Sequence, residues 1–272
     1  MPKCKTIAIA NQKGGVGKTT TALNVGVGLA RDGYRVLLVD FDPQGDLTAS
    51  LGWKQTDEIE RTISDAMNGV INDEVVDYDN IILHNDEGID LIPGNIELAD
   101  FEMRLVNVMS RERVLTNCLF PIKNKYDYIV VDCPPSLGML TVNVLSAADE
   151  VLIPVQAEYL PAKAMTKLIG TVCKVQRQIN PNLSILGAVI TMADMRTNMA
   201  KSTVEALREG YGRYFKIFDS IIPHTVKAKE STNEGKSVYS YAQGSKVAEA
   251  YDKLTKEIIK THKVRNKDYD AR

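Results

Sequence analysis

Eight consecutive residues, Lys13, Gly14, Gly15, Val16, Gly17, Lys18, Thr19 and Thr20, combine three glycines with two lysines and two hydroxyls. Glycines let backbone N–H groups converge on one point without Cβ clashes, and a helix that begins at such a loop adds its positive end. Phosphate oxygens are the ligand that geometry suits, with Lys18 reaching the outer phosphates and the Thr19 hydroxyl binding a magnesium ion. Two further clusters carry carboxylates. Leu37-Leu38-Val39-Asp40-Phe41-Asp42-Pro43 places two acids one residue apart after an apolar run, a spacing that on a strand points both side chains the same way. Tyr128-Ile129-Val130-Val131-Asp132 ends a second apolar run in an acid, the form expected of a carboxylate that holds magnesium through water opposite Thr19.

These groups need a scaffold that delivers strand ends and a helix start to one place. Short runs rich in Val and Ile, at 6–10, 35–40, 126–132, 150–155, 183–192 and 216–222, read as buried parallel strands. Between them lie helix-like stretches at 19–31, 104–119, 160–178 and 201–208, each stopped by a nearby Gly, Pro or Asn-Pro. The alternation predicts an α/β fold: a doubly wound, mostly parallel sheet with helices on both faces and ligands beyond the carboxyl ends of its strands. No repeat, low-complexity tract or Pro/Ser linker divides the chain, so 1–272 is expected to form one domain. Residues 57–90, with eleven acids and Arg61 as the lone Lys or Arg, are expected as an acidic surface excursion, and 263–272 as a mobile tail.

The strict P-loop pattern places glycine where Gln12 stands, and a second lysine, Lys13, opens the loop instead. In this the segment resembles the signature-lysine class of P-loop ATPases, which includes ParA-type partition proteins, MinD and the nitrogenase iron protein. The resemblance continues through Asn11-Gln12-Lys13, Asp40 to Gly45, Asp132 to Gly138, Ile153-Pro154-Val155-Gln156, Met192 to Asn198 and Ile222-Pro223, and looks like the Soj/ParA branch. It implies ATP and magnesium as cofactors, slow intrinsic hydrolysis, and a homodimer sandwiching ATP with Lys13 crossing to the partner's phosphates. Asp42 would orient or deprotonate the attacking water, Asp40 would support the magnesium shell, and Pro134 to Gly138 would form the second switch. Pro223 and Thr225 align with family positions that contact adenine.

The same resemblance implies non-specific DNA binding, a ParB-like centromere-binding partner that triggers hydrolysis, and a cytoplasmic, nucleoid-associated location. Arg196 matches a family arginine that touches DNA; pairing with Asp194 at a helix start is the other reading of that residue. The family's usual arginine after Pro223 is here His224, so Lys227 and Lys229 are the remaining candidates, with Lys236 and Lys246 behind them. Charge agrees: residues 1–195 carry 17 Lys and Arg against 25 Asp and Glu, whereas 196–272 carry 16 against 10, giving −8 and +6.

Other classes fit less well. No apolar run approaches the ~18–20 residues of a membrane span, and no apolar leader is expected before the first strand. A MinD-like attachment to a membrane or other assembly is the alternative within the class. It would need an apolar face on the last helix, where Val247, Tyr251, Leu254 and Ile258 recur at helical spacing; these are assigned to packing on the sheet. Cys4, Cys118, Cys133 and Cys173 lie far apart and are read as reduced, mostly buried thiols rather than cluster or zinc ligands, and His84, His224 and His262 as solvated or turn histidines. A metabolic P-loop enzyme would need an acceptor pocket that the sequence does not identify.

Overall fold

The computed structural model describes residues 4–157 and 161–270, the side chains of 161–164 and 265–270 excepted. Strand β1 (Lys5–Ile9) feeds the glycine-rich loop and α1 (Lys18–Arg31); β2 (Val36–Asp40) is followed by α2 (Asp46–Ser50), α3 (Ile63–Ile71) and a hairpin of β3 (Leu83–Asn85) and β4 (Ile89–Ile92). Then come α4 (Glu97–Arg104), α5 (Val114–Leu119), β5 (Tyr128–Asp132), α6 (Met139–Ala147), β6 (Glu150–Gln156), α7 (Pro161–Gln178), β7 (Ser184–Ala193), α8 (Asn198–Tyr211) and β8 (Ile217–Pro223). Helices α9 (Val226–Asn233), α10 (Val238–Tyr241) and α11 (Lys246–Asp270) complete the chain. The eight strands order as β3-β4-β2-β5-β1-β6-β7-β8, parallel throughout except for the β3–β4 hairpin at one edge.

Period-2 alternation sends each strand's residues to two separate cores. Ala8, Leu37, Val39, Ile129 and Val131 face α3, α5 and α6 through Ile63, Met67, Leu115, Leu140 and Val144. Ile7, Ile9, Val36, Leu38 and Val130 face α1 and α11 through Leu23, Val27, Tyr251, Leu254 and Ile258. Covering both faces is what permits an all-parallel central sheet, and it explains why these strands read as unbroken apolar runs. The apolar stripe Val247, Tyr251, Leu254 and Ile258 is buried in the second core, as expected from the sequence. No described helix is long and apolar enough to cross a membrane.

Four expectations are corrected. The excursion 57–90 is surface only in part: Ile63, Ala66, Met67, Ile81 and Ile82 are buried, and β3 and β4 extend the sheet. Its apolar residues come in short pairs around a turn at Gly88 (φ +78), a signal the acidic density conceals. The single helix expected over 104–119 is broken after Arg104 by a short 3₁₀ turn, an extended Val108 and Ser110 at φ +50, and resumes at Val114. The β-branched Val106 and Val108 and the turn-forming Asn107 and Ser110 are poor helix residues, and their neighbours compete for the backbone. The segment expected as a tail from 263 continues α11 as far as Asp270; residues 271–272 lie outside the described residues, as does Leu160 at the expected start of α7.

The fourth concerns His262, which is buried rather than solvated. Its Nε2 lies 2.6 Å from Glu150 Oε2 and its Nδ1 3.0 Å from the Tyr128 hydroxyl, both at strand starts, while its ring stacks on Tyr128. The triad ties the C-terminal half of α11 to the end of the sheet opposite the glycine-rich loop. Removing one member of a buried hydrogen-bonded ionisable pair takes a compensating contact away from the other in a low-dielectric site. His262→Ala is therefore expected to lower unfolding free energy by about 2–4 kcal/mol in urea titration; a change within error would show that the pair contributes nothing.

Candidate functional site

Gly17 stands before the first turn of α1 at φ +83, and a Cβ there would lie 3.3 Å from Met192 Cε, so both backbone conformation and space favour glycine. The loop's N–H groups and the α1 N-terminus are thus delivered to the carboxyl ends of β1, β2 and β5. Lys18 is 7% exposed, Val16 is buried, and Lys13, Gly14 and Gly15 form the exposed rim. Thr19 and Thr20 are half-buried at the helix start. No acidic residue sits in the first turn of α1, which leaves its positive end for an anion.

Asp40 and Asp132 are direct cross-strand partners in the parallel β2–β5 pair, and both are fully buried. Burial pushes Asp132 well above the usual carboxylate range, and the neighbouring Asp40 raises it further; Thr19 and Lys18 pull the other way. Neither Asp132 oxygen meets a hydrogen-bond partner, so Thr19 acts on it from close by without a bond of good geometry. Two unsatisfied carboxylate oxygens beside a hydroxyl and a lysine, at the mouth of a phosphate loop, fit a hydrated magnesium ion: hard oxygen donors with no competing protein contact. Thr19 and Asp132 are the residues able to hold it.

Strand β2 ends at Asp40, so its alternation does not carry on to Asp42, and the two acids take different partners. Asp40 turns inward: Oδ2 accepts from the Thr48 amide at 2.8 Å and hydroxyl at 2.7 Å, and Oδ1 from the Asp42 amide at 3.3 Å. Its oxygens thereby pin α2 and the loop before it. Burial nevertheless raises its pKa to about 7. Asp42, 7% exposed, accepts from the Gln44 amide at 3.1 Å and feels the Lys18 charge, which places it beside the phosphate loop. Burial raises it as well, a shift suited to a group that takes a proton.

Three contributions escaped the sequence. Asn11, 5% exposed, donates to the Pro154 carbonyl at 2.7 Å and accepts from the Lys13 amide at 3.0 Å, fixing the start of the loop; an Asn two residues before a loop N–H is the signal of an Asx turn. Thr191 on β7 donates to the Val16 carbonyl at 2.8 Å. Glu102 on α4 accepts from the Leu140 amide at 3.3 Å, at the N-terminus of the helix that follows Pro134 to Gly138. The last two join residues far apart in sequence and leave no local pattern.

Arg196 is 90% exposed at the start of α8 and forms a two-point pair with Asp194, Nε to Oδ1 at 2.8 Å and Nη2 to Oδ2 at 2.7 Å, which holds Asp194 at about 2. It borders an open cleft of about 930 Å³ with Pro223, His224, Lys246 and Lys253. Lys227 and Lys229 are exposed on α9 and do not line that cleft. Thr225 is the N-cap of α9, its hydroxyl accepting from the Lys227 amide at 3.3 Å, and Pro223 closes β8.

A family model described as an AAA domain matches residues 4–185. The chain is 44% identical over 256 residues to the sporulation initiation inhibitor protein Soj of Bacillus subtilis, covering 93% of this chain and 98% of that one. It is 42% identical over 260 residues to the chromosome partitioning protein ParA of Myxococcus xanthus, covering 94% and 88%. The chain belongs to the ParA/Soj family of partition ATPases. Among solved structures it is similar to cobyrinic acid a,c-diamide synthase from Mycobacterium smegmatis with bound ADP and magnesium, at 35% identity and a TM-score of 0.83 over 96% of each chain. A mostly parallel sheet with helices on both faces is the architecture the sequence implied, and β3 and β4 add two strands to the six it offered.

A carboxyl whose folded-state pKa lies above its unfolded value binds its proton more tightly when folded. Its stabilising contribution is full below the unfolded value and lost as pH rises through the folded one. For Asp40 that window runs from 3.8 to about 7, and Asp132 adds to it in the same direction. The nucleotide-free protein is accordingly expected to lose stability as pH rises from 3.8 to about 7. Asp132→Asn is expected to flatten that fall and to raise stability by about 1–3 kcal/mol at the alkaline end. Urea unfolding across pH measures both; an unchanged slope would contradict the electrostatic account.

Proposed function

We propose that this member of the family is a magnesium-dependent ATP hydrolase that moves DNA cargo: ATP closes two copies face to face, the pair holds DNA without sequence preference, and hydrolysis releases it. A ParB-like centromere-binding partner speeds the hydrolysis, and the protein works in the cytoplasm on the nucleoid. The observation that carries this reading is the phosphate loop with Lys13 exposed at its rim and Asp132 buried and unpartnered behind it. The names and near full-length identity of the partition relatives support the cellular role.

In this mechanism the amides of Gly14, Gly15, Val16, Gly17, Lys18, Thr19 and Thr20 cradle the phosphates, with Pro223 and Thr225 at the adenine end. Lys18 follows the charge on the outer phosphates. Thr19 and Asp132 would hold magnesium, which would neutralise charge on the phosphate oxygens. Asp42 orients a water and takes its proton as the water oxygen bonds to the γ-phosphorus; the bond to the bridging oxygen breaks and ADP leaves with the electron pair. Lys13 of the partner subunit adds the second cation that charge spreading in the transition state demands. Closure gives the nucleotide its effect on DNA only because the paired form binds DNA better than one chain does.

The DNA surface is formed by Arg196, Lys227 and Lys229, on the basic C-terminal part of the chain, where Lys227 and Lys229 also stand at the positive end of α9. With about four phosphates neutralised per bound unit, affinity falls with log salt at a slope of about −4. Arg196→Ala and Lys227→Ala are each expected to reduce that slope by about 1, measured by DNA retention across a salt series with no nucleotide, ADP and ATP. In the same assay Asp42→Ala stays paired on DNA and Lys13→Gln fails to pair. Single chains at saturating ATP in the Asp42→Ala protein would sink the scheme.

A further inference from the structure

Lys13 does more than mark the loop's rim: its Nζ donates to Gln156 Oε1 at 2.9 Å. Gln156 ends β6, and its amide nitrogen lies 3.2 Å from Met192 Sδ near the end of the neighbouring strand β7. Met192 is held at φ +51, a conformation that side chains avoid. The same stretch grips the phosphate loop twice, through the Thr191 hydroxyl on Val16 and the Met192 methyl against Gly17, and reaches Arg196 four residues on. One side chain therefore touches both the lysine required in trans and the strand end that leads to a DNA-binding residue.

We propose that Gln156 is a positioning residue that helps hold Lys13 on its own subunit until closure draws it away, so that the strength of this bond shifts the ATP level at which two copies pair. The proposal rests on the reading above, in which Lys13 crosses between subunits. An ammonium-to-amide bond is charge-assisted on one side only, strong enough to hold the lysine and weak enough to release it. Closure breaks two such bonds, one per copy. Their loss frees the Gln156 amide beside Met192 in both subunits, which links the crossing of Lys13 to the strained strand end below Arg196.

The sign of the effect must follow the chemistry of position 156. In the Asp42→Ala protein, which removes turnover, sedimentation across an ATP titration gives the midpoint of pairing. Gln156→Leu, which cannot hold the ammonium, is expected to lower that midpoint about fivefold; Gln156→Glu, which holds it with a full charge, is expected to raise it at least as much. Gln156→Met replaces the Leu variant if that one melts early. In the chain with Asp42 intact, KM for ATP is expected to move with the same signs while kcat changes less than twofold. A residue that merely supports the fold would shift both variants in one direction. Parent pairing normally while both variants shift together, or neither shifts, would overturn the role of Gln156. Failure of the parent itself to pair at saturating ATP would instead overturn the reading on which that role depends.

Discussion

Two carboxylates buried side by side at the ends of adjacent central strands are the costliest feature of this molecule, and much of the site is arranged around them. Asp40 and Asp132 are opposed in register with no solvent access. Like charges so close and so dry cannot both ionise without compensation. The chain resolves the conflict unequally. Asp40 receives three hydrogen bonds from Thr48 and the Asp42 amide and becomes part of the scaffold. Asp132 receives none among the described residues, and only Thr19 and Lys18 at the phosphate loop favour its ionised form.

That asymmetry links the site to the rest of the molecule. By pinning Thr48, Asp40 fixes α2 and aims the short loop that carries Asp42 at the phosphates. Asn11 and Thr191 fasten the glycine-rich loop to β6 and β7, so a change in the loop is felt at the far strands as well as at its own. The carboxyl edge of the sheet therefore behaves as one connected rim, from α2 through the loop to the start of α8. Exposed groups sit at its ends: Lys13 beside the loop, and Arg196 paired with the Asp194 carboxylate.

The molecule's other end has a different economy. His262, Glu150 and Tyr128 form a satisfied polar cluster where strands begin, away from the loop. Full pairing there and incomplete pairing at the carboxyl edge divide the sheet into an end that holds the fold together and an end that does chemistry.

The alternation of the central strands and helices, the loop from Lys13 to Thr20 and the gathering of Lys18, Thr19, Asp42 and Asp132 about that loop were legible in the sequence. Parallel strands buried on both faces must be continuous apolar runs, and a phosphate loop must be local, since its N–H groups come from neighbouring residues. The hold of Asp40 on Thr48 could not be read from strand alternation, which names a face of the sheet and no partner. The β3–β4 edge, the break before Ser110, buried His262 and the grip of Gln156 on Lys13 were decided by tertiary structure alone. Each depends on a neighbour tens or more than a hundred residues away, or on turn backbone that local propensity describes poorly, and such pairings leave no periodicity along the chain.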